Sequence, residues 1–175
     1  MIEQSYIEEW RHAHPWSNHQ VEQDLVISRA IVEIFSDDIL RKSLAFRGGT
    51  ALHKIYISPQ VRYSEDIDLV QINAEPINPV LKRIREKLSF LGTKRIVKQN
   101  IHNNTIIYRF DSEIQPIVNM RLKIEINTRE HLKEEKLNDV EFTSDIFSVL
   151  KSGIEYENVA AWEKVKNELK IEYEK

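Results

Sequence analysis

The sequence predicts an α+β fold, a small mixed sheet flanked by helices. Near the start of the chain, apolar residues recur at the three- and four-residue spacing of a helix. Several later segments alternate apolar and polar residues as strands do. The length of 175 residues and the 41% hydrophobic content fit one globular domain. We divide this single domain into an N-terminal helical segment over 1–45, a core over 46–130 and a short C-terminal helical extension over 131–175.

Composition narrows the class of protein further. The chain has no cysteine, which excludes disulfides and thiolate metal sites and agrees with a cytoplasmic location. Its start lacks the basic and apolar regions of a secretory signal, and no apolar stretch approaches the roughly 20 residues that cross a bilayer. We therefore expect no membrane association. The net charge of −3 means that any phosphate-binding surface must be a local patch.

The first half of the chain is predicted to be mainly helical. The polar first nineteen residues indicate an irregular arm or a frayed short helix. A long helix is predicted from Val21 to near Asp37–Asp38, where a second short helix is expected to start. Ala45–Arg47 is a short apolar approach to a glycine pair. A further helix is predicted over Thr50–Ile57, and Pro59 prevents its extension.

The second half is predicted to supply most of the strands. Asp66–Ile72 alternates and is rich in β-forming residues. Asn78–Pro79 has the pattern of a helix start, a capping side chain followed by proline, and Gly92 is expected to end that helix. The remaining predicted elements are strands over Arg95–Ile101, Thr105–Phe110 and Ile117–Asn127, a hairpin loop over His102–Asn104, and helices over Asp145–Leu150 and Ala160–Tyr173.

Three carboxylates are predicted to share one face of the sheet. Asp66 and Asp68 point to the same side of their strand because side chains alternate. The same argument places Glu125 on the polar face of its own strand, between Ile124 and Ile126. If the two strands are neighbours, the carboxylates form a site for two Mg²⁺ ions, which would remove their mutual repulsion.

The glycine pair is predicted to bind phosphate. Gly48 and Gly49 let backbone amides approach an anion, and Thr50 adds a hydroxyl at the start of the following helix. The remaining candidate nucleotide-binding residues are Lys54, Arg62, Ser64 and Lys123. An isolated Asp-x-Asp usually lies on a solvated strand edge, and an isolated Gly-Gly is usually a turn. Their order along the chain, together with Glu125, favours nucleotide chemistry.

Two other groups of residues are given weaker interpretations. Glu65 is expected to point away from its aspartate neighbours and is left out of the site. His12, His14 and His19 lie in a polar arm interrupted by proline, and we interpret them as solvated rather than as a metal cluster.

The motifs resemble the nucleotidyltransferase AbiEii/AbiGii toxin family. The likeness covers about residues 20–130 and is carried by Phe46–Lys54, Arg62–Leu69 and Leu122–Glu130. It implies a polymerase-β-like nucleotidyltransferase core that uses Mg²⁺ and a nucleoside triphosphate. It also implies a toxin role in toxin–antitoxin or phage abortive-infection systems, with a cognate antitoxin as partner and tRNA as a candidate acceptor. On this resemblance Gly48, Gly49 and Thr50 handle phosphate, and the three carboxylates hold metal.

The resemblance leaves alternatives open. The family usually continues into a larger helical C-terminal region, whereas this chain stops at Lys175, so a compact member, a fragment or a decayed copy are all compatible with the sequence. The acceptor could be RNA, a protein side chain or an aminoglycoside. A non-catalytic module that keeps the fold and binds a partner is the alternative outside enzymes.

Overall fold

The fold is built on a mixed sheet. A computed structural model describes residues 2–57, 60 and 62–129. The sheet strands are β1 (Leu44–Arg47), β2 (Asp66–Gln71), β3 (Arg95–Gln99), β4 (Asn103–Asp111) and β5 (Asn119–Asn127). Their order is β1-β2-β5-β4-β3; β2 and β5 run parallel, and the other neighbours are antiparallel. The predicted α+β class, with a small mixed sheet flanked by helices, is thereby confirmed.

Helices lie before the first strand and between later strands, and some of them cover one face of the sheet. They are α1 (Gln4–His12), α2 (Asn18–Phe35), α3 (Asp38–Ser43), α4 (Gly48–Ala51) and α5 (Ile77–Lys87). A π-helical turn, Leu52–Tyr56, continues α4, and a 3₁₀ turn, Ser89–Leu91, follows α5. Ser17 caps α2 through a capping box, in which its hydroxyl accepts from the amide of Gln20 and the Gln20 side chain accepts from the amide of Ser17.

The larger of two apolar clusters among the described residues joins the helices to the sheet. The inward faces of β2, β4 and β5 contribute Leu69, Ile106, Tyr108, Leu122 and Ile124, all of which are buried. The helices contribute Ile27 and Ile34 from α2, Leu40 from α3, and Ile84 and Leu88 from the stripe predicted for α5. The N-terminal helical segment therefore shares its core with the sheet. The division into 1–45, 46–130 and 131–175 stays a prediction.

Buried carboxylates tie the helices to the rest of the fold. Glu22, on α2, is fully buried and accepts from the amides of Glu113 (2.7 Å) and Ile114 (3.4 Å). Asp37 caps α3 and pairs with Arg83 of α5 at 2.7 Å. The hydrogen bond from Arg83 is the main reason that the pKa of Asp37 falls to about 2.

Two predicted element boundaries are wrong. Helix α5 begins at Ile77, after Pro76, and has no side-chain cap; the Asn78 side chain instead accepts from Gln99 of β3. The hairpin loop lies earlier than predicted, because Asn103 and Asn104 already pair with β5 as part of β4. In both cases the sequence pattern predicts that an asparagine caps a helix or lies in a loop. In the fold, that asparagine instead contacts a strand that is distant in sequence.

The other boundaries shift by a few residues. The helix predicted over Thr50–Ile57 begins at Gly48 and includes the π-helical turn, and β5 begins at Asn119. The N-terminal arm contains α1, whose Ile7 is buried against α2. The helices predicted over 145–150 and 160–173 lie outside the described residues. Among the residues that are described, no helix combines the length and apolar character needed to cross a membrane.

Candidate active site

The parallel pairing of β2 with β5 brings the three predicted carboxylates together. Asp68 lies opposite Glu125 in the register, and Asp66 lies opposite Lys123. One oxygen from each of Asp66, Asp68 and Glu125 lies within 4.8 Å of the other two. All three side chains are half-buried on the sheet face opposite the core. The convergence follows from strand alternation, since Ile67, Ile124 and Ile126 occupy the buried face.

Burial and neighbouring charges set the electrostatics of this cluster. The pKa of Asp66 is raised, first by burial and then by the negative charges of Glu125 and Glu65, against the opposing charge of Lys123. The ammonium of Lys123 lies 2.7 Å from Glu125, and this hydrogen bond raises the pKa of Lys123. The sequence argument anticipated the like-charge effect between carboxylates, but the leading cause at Asp66 is burial.

The donor set fits a hard divalent cation. Carboxylate oxygens are the ligands that Mg²⁺ prefers, and three of them converge here from two strands. A bound cation would offset the cost of keeping Asp66 ionised where burial raises its pKa. The metal-binding role of these three residues stays a prediction.

The glycine pair packs directly against the carboxylates. Gly48 has φ +78°, a left-handed conformation that side-chain-bearing residues rarely adopt. A Cβ atom at Gly48 would collide with the carboxylate of Asp68 and lie 3.0 Å from its Cβ. A Cβ atom at Gly49 would meet only the Nη2 of Arg62, at 2.7 Å. Position 48 therefore requires glycine for two reasons, its left-handed backbone conformation and the closeness of the Asp68 carboxylate. At position 49, glycine leaves room for the Arg62 guanidinium.

An open cleft of about 400 Å³ joins the two halves of the site. Its lining residues are Gly49, Thr50, Arg62, Tyr63, Glu65, Asp66 and Asp68. The hydroxyl of the buried Thr50 donates to the carbonyl oxygen of Asp66 at 2.7 Å. Thr50 thus ties the start of the helix to the first residue of β2. This bond fixes the glycine turn relative to the carboxylates.

Asp24 organises the chain that carries Arg62. The Asp24 carboxylate is buried, accepts from the Ser64 amide and the Gln60 side chain at 2.8 Å each, and pairs with Lys54. Gln60 also donates to the carbonyl of Arg62 at 2.8 Å. Lys54 and Ser64, both predicted to bind nucleotide, are thus placed in this supporting network. Their direct role at the nucleotide stays a prediction.

Some residues of the cleft escaped the sequence analysis. Glu65 was expected to point away, yet it lines the cleft beside Asp66 and accepts from the hydroxyl of Tyr63 at 2.9 Å. Strand alternation does not apply to Glu65, because β2 begins one residue later. Asp24 lies 40 positions before its partner Ser64. Its unusual position, an acid among the apolar residues of α2, is the one local signal that could have identified it.

His53 is a buried imidazole next to this network. It is 2% exposed, and no described residue hydrogen-bonds to either of its ring nitrogens. Burial, with a further contribution from the charge of Arg62, lowers its pKa to about 4. Asp24 opposes that shift, and Lys54 adds to it. His53 is therefore neutral at physiological pH.

A glycine turn packed against one strand aspartate, with a second aspartate on the same strand and a glutamate on the adjoining parallel strand, is an arrangement suited to the chemistry of the nucleotidyltransferase class. The comparison with protein families agrees with this geometry. Residues 29–158 match the family described as nucleotidyl transferase AbiEii toxin, type IV toxin–antitoxin system. The chain belongs to this family. The resemblance inferred from the motifs is thereby confirmed.

The solved structures that match this chain include two from Helicobacter pylori and one from Mycobacterium tuberculosis. A candidate nucleotidyltransferase from H. pylori is 24% identical, with a TM-score of 0.48 over 72% of this chain and 52% of its own. JHP933 from Helicobacter pylori is also 24% identical, with a TM-score of 0.48 over 71% and 50%. MenT4, the nucleotidyltransferase toxin Rv2826c from Mycobacterium tuberculosis H37Rv, is 15% identical, with a TM-score of 0.47 over 74% and 44%.

This chain spans about half the length of the solved structures that it matches. No curated protein sequence matches it.

The carboxylate cluster predicts a metal-dependent gain in stability. Mg²⁺ at a hundred times its Kd stabilises a folded site by about 2.7 kcal/mol, which raises the melting temperature of a chain of this size by about 5–10 °C. Glu125→Gln should show a much smaller rise, since it removes a ligand charge. Asp66→Asn should melt at or above wild type in EDTA, because the raised pKa of Asp66 means that its ionisation disfavours the folded state.

Thermal melts with and without Mg²⁺ measure these effects. Glu33→Gln, on the surface of α2 away from the cleft, is the matched control and should keep the full rise. An equal Mg²⁺ response in wild type, Glu125→Gln and Asp66→Asn would show that the ion binds elsewhere.

The buried His53 predicts that stability falls on mild acidification. Its pKa is about 4 in the folded chain and near 6.5 when unfolded, so between these values only the unfolded state gains the proton. The resulting loss is on the order of 2–3 kcal/mol between pH 6.5 and pH 4. Urea unfolding at several pH values should show this slope in wild type and a shallower slope in His53→Leu. Parallel pH profiles would contradict the assignment.

Proposed function

We propose that this protein is a Mg²⁺-dependent nucleotidyltransferase that moves a nucleoside monophosphate from a nucleoside triphosphate to an acceptor hydroxyl. The observation that carries the proposal is the joint placement of two elements in one cleft. The carboxylates of Asp66, Asp68 and Glu125 converge, and the Gly48 turn packs against one of them. A carboxylate cluster without a phosphate-binding turn is found in many kinds of metal site. The carboxylate cluster and the glycine turn together suit a nucleoside triphosphate with its bound metal ions.

Each residue has a specific part in this proposal. Asp66, Asp68 and Glu125 would hold Mg²⁺, two ions in the full complex. When bound, these ions supply neutralisation of phosphate charge and a lower pKa for the acceptor hydroxyl. Gly49 and Thr50 line the cleft, and their backbone amides would bind phosphate oxygens.

The two cations of the site have different partners. The Arg62 guanidinium, held beside Gly49, presents planar donors that suit a phosphate oxygen pair. Lys123 pairs with Glu125. When metal ions bind the carboxylates, the Lys123 ammonium would leave Glu125 and contact a phosphate oxygen instead. Asp24 acts as a positioning residue, since it holds the chain on both sides of Arg62.

The transfer itself is a displacement at phosphorus. The acceptor oxygen forms a bond to the α-phosphorus, the bond from that phosphorus to the bridging oxygen of the β-phosphate breaks, and pyrophosphate leaves. The hydroxyl proton passes to the carboxylate cluster. The protein's part is to align the triphosphate between the Gly48 turn and β2 and to fix donors where negative charge develops.

Family membership supports a toxin role for this activity. We propose that the chain is the toxin of a type IV toxin–antitoxin or phage abortive-infection system and acts in the cytoplasm with a cognate antitoxin as its partner. We propose tRNA as the acceptor to test first. A protein side chain, an aminoglycoside, or a binding role without catalysis are the alternative outcomes of the experiment below.

The proposal predicts metal-dependent label transfer. Purified full-length chain with each α-³²P-labelled nucleoside triphosphate and total RNA should yield labelled RNA only when Mg²⁺ is present. Asp66→Ala and Asp68→Ala should lower the transfer by at least about 10³-fold, since each removes a ligand of the charge-stabilising ions. Full transfer by either variant would contradict the assigned site.

The two glycines provide a matched pair for the phosphate turn. Gly48→Ala should abolish transfer, because its Cβ displaces the Asp68 carboxylate, whereas Gly49→Ala should retain part of it, because Arg62 can move. Label that survives nuclease treatment would indicate a protein or small-molecule acceptor, and binding without transfer would indicate a non-catalytic module. In cells, wild-type expression should arrest growth and Asp68→Ala should relieve the arrest.

A further inference from the structure

The sheet has a second surface feature beside the carboxylates. Helices α2, α3 and α5 pack on one face of the sheet, and the carboxylates lie on the other, which we call the open face. Because side chains alternate, every second residue of β5 from Arg121 through Lys123 to Glu125 belongs to this face. The register of the sheet then determines which residues of β3 and β4 lie next to them.

Three cations lie side by side across the open face. Arg109 of β4 is directly opposite Arg121 of β5. The amide of Arg109 donates to the carbonyl of Lys94 at 3.0 Å, which continues the same register to the third strand. All three side chains are exposed. We call Lys94, Arg109 and Arg121 the cationic row.

Among the described residues, the positive charge of the cationic row is uncompensated. Like charges directly opposite each other on neighbouring strands destabilise a sheet. Within residues 2–57, 60 and 62–129, no carboxylate forms an ion pair with any member of the row. The nearest acids along the strands have other partners, since Glu125 pairs with Lys123, and Asp111 accepts from Asn119 at 3.3 Å. An anionic ligand is the partner that would stabilise this arrangement.

The position of the row relates it to the cleft. Arg121 lies four residues before Glu125 on the same strand, which corresponds to about 13 Å. Between them, the intervening row of the open face carries Lys123 on β5, Ile107 on β4 and Ile96 on β3, and Ile96 is half-exposed. A chain-like anion that lies on the cationic row can thus extend across this intervening row and place its end at the carboxylates.

We propose that the cationic row binds the phosphate backbone of a polynucleotide acceptor and directs its terminal hydroxyl to the cleft. This proposal rests on the proposed nucleotidyltransferase function and gives a nucleic-acid acceptor its binding surface on this chain. Two guanidiniums and an ammonium spaced by the strand separation match a chain of regularly repeated phosphates. The overall charge of −3 makes such a local row, rather than the whole surface, the element that attracts nucleic acid.

RNA binding by charge-deleted variants tests the proposal. Anisotropy of a fluorescein-labelled single-stranded 20-nucleotide RNA is measured with the full-length chain in EDTA, at 50–200 mM KCl, without nucleoside triphosphate. Arg109→Gln/Arg121→Gln should bind at least tenfold more weakly at 50 mM. The slope of log K against log[KCl] should be smaller in magnitude by about 1.4, because each of the two lost phosphate contacts on a single strand contributes about 0.7. Arg109→Lys/Arg121→Lys should restore most of the slope.

A matched control separates the row from net charge. Lys42→Gln/Lys82→Gln removes the same two charges from exposed positions on α3 and α5, on the helix side of the sheet, and should bind RNA like wild type. The proposal would be overturned if both double variants bound RNA equally weakly, or if both bound it as tightly as wild type. A DNA strand of the same sequence distinguishes RNA from DNA. Row-dependent binding of polyglutamate but not of RNA would assign the surface to an acidic protein and also overturn it.

The binding assay and the transfer assay fail independently. Because no nucleotide is present, row-dependent RNA binding by a wild-type protein that transfers no label would contradict the proposed function alone. Conversely, label transfer to RNA with an unchanged KM for RNA in Arg109→Gln/Arg121→Gln would contradict the role of the row alone.

Discussion

The parallel register of β2 against β5 is the constraint on which the candidate site depends. It places Asp68 opposite Glu125, and it is fixed by the residues on the other face of the same strands. Ile67, Ile124 and Ile126 are fully buried beneath the helices. A slip of one residue would turn these side chains to solvent and bury the carboxylates, at a cost of several kcal/mol. The apolar core therefore enforces the geometry of the acidic cluster.

The carboxylates are useful for nucleotide chemistry only if the phosphate turn is held against them. Two contacts do this. The left-handed conformation of Gly48 lets the backbone lie against Asp68, and the Thr50 hydroxyl binds the Asp66 carbonyl. Asp24 adds a third restraint through the chain around Arg62. These contacts hold the glycine turn beside the carboxylates, and burial at the same place raises the pKa of Asp66.

Strand periodicity made the acidic cluster predictable from the sequence, whereas side-chain partners were not predictable. Alternation placed Asp66 and Asp68 on one face of their strand and Glu125 on the polar face of its own, and the parallel pairing of β2 with β5 brings them together. Lys54 was interpreted as a phosphate ligand because of its distance from the glycines along the chain. Its partner Asp24 lies 30 positions earlier, and only tertiary packing brings the two together.

Local rules also failed where a tertiary contact competed with them. Asn78 has the sequence pattern of a helix cap, but its side chain accepts from Gln99 across the fold. Glu65 lies one residue before β2, where the alternation argument has no force. The burial that dominates the pKa of Asp66 depends on the whole surrounding structure and not on the Asp-x-Asp motif.

The central claim is that the three carboxylates and the glycine turn form one metal-dependent triphosphate site. Calorimetric titration of the full-length chain with α,β-imido nucleoside triphosphates tests it most directly, in wild type and in Asp68→Asn. The account predicts binding to wild type with Mg²⁺, at least tenfold weaker binding in EDTA, and the same loss in Asp68→Asn with Mg²⁺. Binding that is indifferent to both metal and Asp68, or no binding at millimolar nucleotide, would contradict it.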